Sequence, residues 1–426
     1  MAKEMIVLGV QDKDKKEQGL YVHEGSTSTH AILDSNLLFD PEHNNRETPR
    51  TMYVHGQDLY VLTKNFIKLL RYNSNKSCFE EISSRNFRTL GLGEEILPLV
   101  GEDNLCGSIA VDSTHNLYLG LYGADTGKKV INSQSCLLQF TNCDLNSTAR
   151  RILDISPTGA MCADTSVEEG VLVPARERIQ VLKQGLPDQS IYPFGREGGK
   201  NVLALHALED ILLVTDTIGG YFIQKGLNSL DRCAGFGFSY LSNHTGRNYL
   251  PMEGTSVLLV KHHLTEKVDQ KRGMEKEKYY ALFGSDNSKL FVYELDFDTD
   301  KRNDTMSTYT RKIGCSYLKT ITFFSSQKLQ EPMKSNIVEH LRYNNGYVSF
   351  TLRDIFMRVG IDTLLTTITP GAKISFNEEQ ITDERGYDEQ SRVENYVHLL
   401  KKRYSLDFVC RVPHRITSWA KYGGIR

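Results

Sequence analysis

The chain of 426 residues carries 51 Lys and Arg against 53 Asp and Glu, and a formal charge of −2 gives no broad electrostatic basis for binding nucleic acid. A hydrophobic fraction of 39% describes a soluble globular protein, and no apolar run approaches the ~20 residues that a membrane helix needs. The length exceeds an ordinary single core, which leaves either several domains or one large repetitive fold.

The N-terminus has a single short apolar run, residues 5–10, followed at once by Gln11 and the charged residues 12–16. A secretory signal needs a longer apolar centre, so a cytoplasmic protein is expected. Residues 5–10 and 19–23 read as two strands, with a more polar outer strand at 29–33. Residues 51–62 then show an apolar strand, a polar turn and a second strand, followed by a third strand at 66–72 and an outer one at 78–82. The template recurs at 107–119, with its third strand at 136–140 and outer strand at 150–153. Weaker copies follow: 159–163, 170–174 and 178–182, then 201–206, 211–215 and 220–224. Two more are 256–260, 279–283 and 289–295, with an outer strand at 310–313, and 337–341, 346–350 and 355–359. Each strand is about five residues long, rich in β-branched or aromatic residues and bounded by Gly, Asn, Asp or Ser, which is a strand-and-hairpin pattern.

Seven units result, the first lacking its first strand. Four-stranded meanders at such a period predict an all-β fold, a seven-bladed β-propeller of antiparallel blades forming one domain over residues 1–426. The stretch 227–251 has room for further strands and keeps six or eight as neighbouring counts. Late strands at 406–412 and 416–420 are expected to close the ring at residues 406–420. Two insertions interrupt the repeats. Residues 263–278 are highly charged and read as a solvated loop or extended hairpin. Residues 363–405 are expected to be partly helical: Asp388 can cap a helix whose Val393, Tyr396, Val397 and Leu400 share one face. That face either packs on the propeller or presents a helix to a partner.

The run G-S-I-A-V-D-S-T-H-N-L-Y-L at 107–119 resembles the repeat of NHL and gluconolactonase-like propellers, roughly G-I-A-V-D-x-x-G-N-L-Y-V, with His115 where the repeat has glycine. No W-D dipeptide closes a third strand, which sets ordinary WD40 repeats aside and leaves a divergent WD40-like repeat open. If the resemblance extends to function, it implies a metal-dependent hydrolase or lactonase in which Asp112, Asn116, Asp216 and Asp286 converge on Ca²⁺ or a similar hard cation. On their own, Asp and Asn at these positions read as turn residues that satisfy the local backbone.

Other chemistry is sparse. The eight cysteines form no C-x-x-C pair or zinc spacing and read as reduced, mostly buried thiols. There is no G-x-S-x-G elbow, Walker A loop, H-E-x-x-H or EF-hand spacing, so no catalytic residue and no cofactor are predicted. The turns joining second to third strands fall on one face of a propeller and supply Lys64, Lys128, Arg176, Arg178 and Arg353, with Asp286 among them. Arginine on a rigid rim pairs with carboxylate or phosphate in bidentate fashion. The preferred reading is therefore a non-enzymatic interaction scaffold or complex subunit that binds an acidic or phosphorylated protein or peptide. The metal-dependent hydrolase is the alternative.

Overall fold

In a computed structural model, the residues described are 4–423, except 13–17, 25–31, 35–36, 41–44, 93, 95, 103, 124–134, 165–169, 193–201, 203, 210, 216–218, 225–231, 238–256, 264–276, 286–288, 299–311, 323–337, 353, 368–407 and 413. Among them the chain forms seven four-stranded antiparallel sheets and one small two-stranded ribbon. Sheet one has the strand order Ile32–Asp34, Gly19–Glu24, Met5–Gln11, Arg415–Tyr422. Sheets two and three are meanders of Thr51–His55, Asp58–Leu62, Phe66–Asn73 and Cys78–Asn86, and of Leu105–Val111, Leu117–Gly123, Ser135–Phe140 and Arg150–Ile152. Sheet four runs through Cys162–Asp164, Gly170–Ala175, Arg178–Lys183 and Leu186–Ile191. Sheet five contains Ala204–Leu208, Ile211–Thr215, Gly219–Gln224 and Arg232–Gly237. Sheet six contains Val257–His263, Glu277–Ser285, Lys289–Asp298 and Lys312–Thr322, and sheet seven Val338–Asn344, Tyr347–Leu352, Ile355–Gly360 and Phe408–Arg411.

The chain divides into two compact units. One holds residues 1–210, 214–217 and 412–426, and the other holds 211–213 and 218–411, so the boundary falls within the run of sheet five.

In the first unit, the strand Leu117–Gly123 explains the architecture. Leu117, Leu119 and Leu121 enter a core shared with Tyr60, Leu62, Ile67 and Leu69 of sheet two. Tyr118, between them, enters another core with Ala110, Leu137, Val171, Val173 and Leu182, the last three from sheet four. Sheet two behaves alike: Tyr60 and Leu62 face sheet three, while Leu59 and Val61 join Met5, Val7 and Leu20 of sheet one. Side chains alternate between the faces of a strand, so a sheet packed on both faces needs apolar residues at every position. This is why the middle strands read as near-continuous apolar runs, and each fully buried Leu or Val contributes about 1.5–3 kcal/mol. In the second unit the same packing joins Leu258, Val260, Tyr280 and Leu282 of sheet six to Val348, Phe350 and Met357 of sheet seven.

Two glycines mark where successive sheets approach most closely. A Cβ on Gly284 would lie 1.9 Å from the Val338 carbonyl oxygen, a backbone clash that no rotamer relieves. A Cβ on Gly107, which opens the repeat motif, would lie 2.2 Å from Leu62 Cδ2.

Of the two late strands, only Arg415–Tyr422 pairs with the N-terminal strand, Leu8 opposite Trp419. It takes the place in sheet one that the first strand holds in the other sheets. Phe408–Arg411 instead edges Ile355–Gly360 as the fourth strand of sheet seven. The charged insertion begins and ends in paired strands, with His263 opposite Glu277. The expected helix with Asp388, Val393, Tyr396, Val397 and Leu400 lies outside the described residues, and the segment before it holds a π-helical turn at Thr363–Thr367. No helix among the described residues is long and apolar enough to cross a membrane.

Candidate binding surface

Each sheet has a 1–2 end, where its first and second strands join, and a 2–3 end. At the 1–2 end of sheet three, the Asp112 carboxylate is 4% exposed and fully engaged. Its Oδ1 accepts from the Thr114 amide (3.0 Å), Thr114 Oγ1 (2.8 Å) and the Asn116 amide (2.8 Å). Its Oδ2 accepts from Asn116 Nδ2 (3.1 Å) and the Tyr118 hydroxyl (2.8 Å). Burial, followed by this bond to a carboxylate, holds the Tyr118 phenol protonated far above its usual range. The Asp112 carboxylate is thus committed to building a turn, with Asn116 among its donors. Asp216 and Asp286, the other residues of that alternative, lie outside the described residues. Among the described residues no group of three or more His, Cys, Asp or Glu is placed to hold a metal. His115 has φ +61°, the left-handed region that favours glycine, which accounts for glycine at this point of the repeat pattern.

The basic residues singled out in the sequence belong to 2–3 ends. Lys64 is half-buried in a turn whose backbone is anchored on both sides. The Gly101 amide donates to its carbonyl (3.0 Å), and buried Asn65 donates through Nδ2 to Glu47 Oε1 (3.1 Å). Arg176 is exposed, with φ +57° in the tight turn of sheet four. Its amide donates to Thr158 Oγ1 (3.1 Å), and its carbonyl accepts from the Val202 amide (2.7 Å). Arg178 is half-buried and donates through Nη2 to the Asp154 carbonyl (3.0 Å). Lys128 and Arg353 lie outside the described residues.

The contact from Arg178 to Asp154 leads to a feature that the sequence did not signal. The third strand of sheet three starts at Ser135, but its outer partner pairs only from Gln139 opposite Arg150 to Leu137 opposite Ile152. Beyond Ile152 the chain turns away, with Asp154 at φ +65°. A notch of about 290 Å³ results, lined by Ser135, Cys136 and residues 151–156. Leu153 on its rim is 65% exposed, the highest value for a large apolar side chain among the described residues. Exposed Arg150 and half-buried Arg151 lie three and two residues before it in the chain. The Cys136 thiol is buried and pushed up to about 12 by burial, so it is an inert wall and not a nucleophile. Arg178 thus joins the turn of sheet four to the chain that leaves sheet three at Asp154, beside the notch and exposed Leu153.

In the second unit, buried Lys319 donates to the Leu365 carbonyl (2.7 Å), and His262 pairs with Asp362 (2.6 Å), tying the π-helical turn to sheet six. Burial draws the Lys319 ammonium down to about 8.

No protein-family model and no curated protein matches the chain. Among solved structures, BBS1N in complex with ARL6DN is 12% identical over 81% of this chain and 83% of that one, with a TM-score of 0.41. A functionally unknown protein from Desulfotomaculum acetoxidans is 7% identical, covering 84% and 92%, with a TM-score of 0.46. Kluyveromyces lactis Hsv2 is 6% identical, covering 71% and 79%, with a TM-score of 0.36. Likenesses this low assign neither a family nor a function.

Proposed function

We propose that the chain is a seven-bladed β-propeller acting in the cytoplasm as a non-enzymatic scaffold, docking an acidic protein segment on the surface around Leu153, Arg151, Arg176 and Arg178. Support for the fold comes from the seven meanders, the face-to-face cores between successive sheets within each unit, and the pairing of the first and last strands.

The observation that carries the binding role is the Arg178 contact to Asp154, which sets the arginine turn of sheet four against the notch and exposed Leu153 of sheet three. The notch has room for one side chain, exposed Leu153 beside it offers an apolar contact, and the arginine turn suits a neighbouring carboxylate or phosphate. Selection of displayed peptides against the full chain is expected to return sequences that pair an apolar residue with Asp, Glu or a phosphorylated residue. Binding of the selected peptides should weaken at least tenfold, about 1.4 kcal/mol, when Leu153→Asp is combined with Arg176→Ala and Arg178→Ala. Enrichment of basic peptides, or unchanged binding by the triple variant, would overturn the assignment.

A further inference from the structure

The outer strand of sheet three leads to Leu153, yet its own ladder holds it weakly. Three residues, Arg150 to Ile152, pair with the third strand, and a ladder this short is marginal by itself. Toward sheet four the strand is secured by apolar burial, because Ile152 and Ile155 enter the core that contains Val171 and Val173. Side chains alternate along a strand, so half-buried Arg151, opposite Leu138, lies on the face toward sheet two and brings no apolar group to that core.

On that side the anchor lies upstream, in the turn 141–149 that feeds the outer strand. The Tyr60 hydroxyl, from the second strand of sheet two, donates to the Cys143 carbonyl (2.9 Å). Arg85, from the outer strand of sheet two, donates through Nε to the Leu145 carbonyl (2.7 Å). Its Nη2 donates to the carbonyls of Ser147 (3.1 Å) and Asn146 (3.4 Å). We infer that Arg85 is a positioning residue of the docking surface: by clamping three successive carbonyls from the neighbouring sheet, it fixes the root of the outer strand and so holds Arg151 and Leu153 ready for the acidic segment. The inference rests on the docking role proposed for that surface.

The turn is built to be gripped. Asn142 and Cys143 stand at φ +54° and +55°, a left-handed pair that persists where the surroundings over-determine it. Asp144 braces the next residues, its Oδ1 accepting from the Asn146 amide (2.9 Å) and its carbonyl from Ser147 Oγ (2.6 Å). A planar guanidinium with donors on separate nitrogens meets several carbonyls at once, whereas a lysine ammonium is one compact donor on a flexible stem. Loosening the root lets the short strand leave the position that receives a ligand, and the apparent affinity falls with the competent fraction.

The test is hydrogen exchange on the full chain, free and with the selected acidic peptide, in wild type, Arg85→Met, Arg85→Lys and Tyr60→Phe. In Arg85→Met the amides of residues 150–153 should exchange faster while the other strands of sheet three keep their protection, and peptide affinity should fall roughly three- to tenfold. Arg85→Lys, which keeps a donor, should recover part of that loss. Saturating peptide should restore protection at 150–153, a response that a purely structural role would not produce. Tyr60→Phe should loosen the same amides through the other anchor, and gives a second reading if Arg85→Met does not fold. Unchanged protection at 150–153 in these variants would overturn the inference, and this arm needs no peptide. Wild-type affinity in the Arg85 variants, beside lost binding in the Leu153→Asp, Arg176→Ala, Arg178→Ala triple variant, would overturn it while leaving the docking surface in place.

Discussion

The two ends of sheet three are made from similar material and are built in opposite ways. At the 1–2 end, five donors converge on one buried carboxylate, and its oxygens are taken up by the turn. At the 2–3 end, a strand stops short, a notch opens and a leucine stands 65% exposed. Asp112 and Asn116, which look most like chemistry, build the turn, while the plain run Arg-Arg-Ile-Leu at 150–153 ends in the exposed leucine on which the proposed docking surface is centred. A polar residue is available for function only to the extent that its neighbours leave it unsatisfied.

Substitutions that separate these two roles should differ most at Asp112. Asp112→Ala removes the acceptor for buried Tyr118 and the turn amides, and should cost about 2–4 kcal/mol in chemical unfolding. A cost below about 1 kcal/mol would show that the turn does not depend on it. Leu153→Asp at the other end should leave stability within about 0.5 kcal/mol, as expected for an exposed site, while weakening peptide binding. Arg178→Ala is intermediate: losing the bond to the Asp154 carbonyl should cost about 0.5–1.5 kcal/mol and loosen the rim of the notch.

The smallest effect expected is a pH dependence at the 1–2 end. His55 is less basic folded than unfolded, so the unfolded chain binds the proton more readily. Its contribution is fully present above the unfolded value of about 6.5 and is lost as pH falls through the lowered folded value. His115→Gly removes one of the causes of that lowering and should flatten the stability profile below pH 6.5, as measured by thermal melts across the acid range.

The repeat was legible because sheets buried on both faces write unbroken apolar runs into their middle strands, as at residues 117–121. Outer strands were less so. Leu186–Ile191 contains Pro187 and Asp188 and is exposed along most of its length, so it carries no alternation to read. The first strand of sheet four pairs at Cys162–Asp164, later than the predicted 159–163. The segment before it is held by the side of sheet three, where Ser108 Oγ donates to the Gly159 carbonyl (3.4 Å). Leu153 was visible as part of an outer strand, but its exposure depends on a mismatch between strands ending at Ile152 and starting at Ser135, a three-dimensional fact with no local signature. His55 and His115 are 60 residues apart and meet only because neighbouring sheets align their 1–2 ends.

The most direct test of the division between a structural end and a binding end is site-specific photo-crosslinking on sheet three, with the photoreactive residue at position 153 in one protein and at exposed position 113 in another. Both are incubated with the selected acidic peptide. Adducts should form at position 153, disappear when Arg176 and Arg178 are replaced by alanine, and be absent at position 113. Equal crosslinking at both positions, or crosslinking at 113 alone, would contradict the placement of the binding surface.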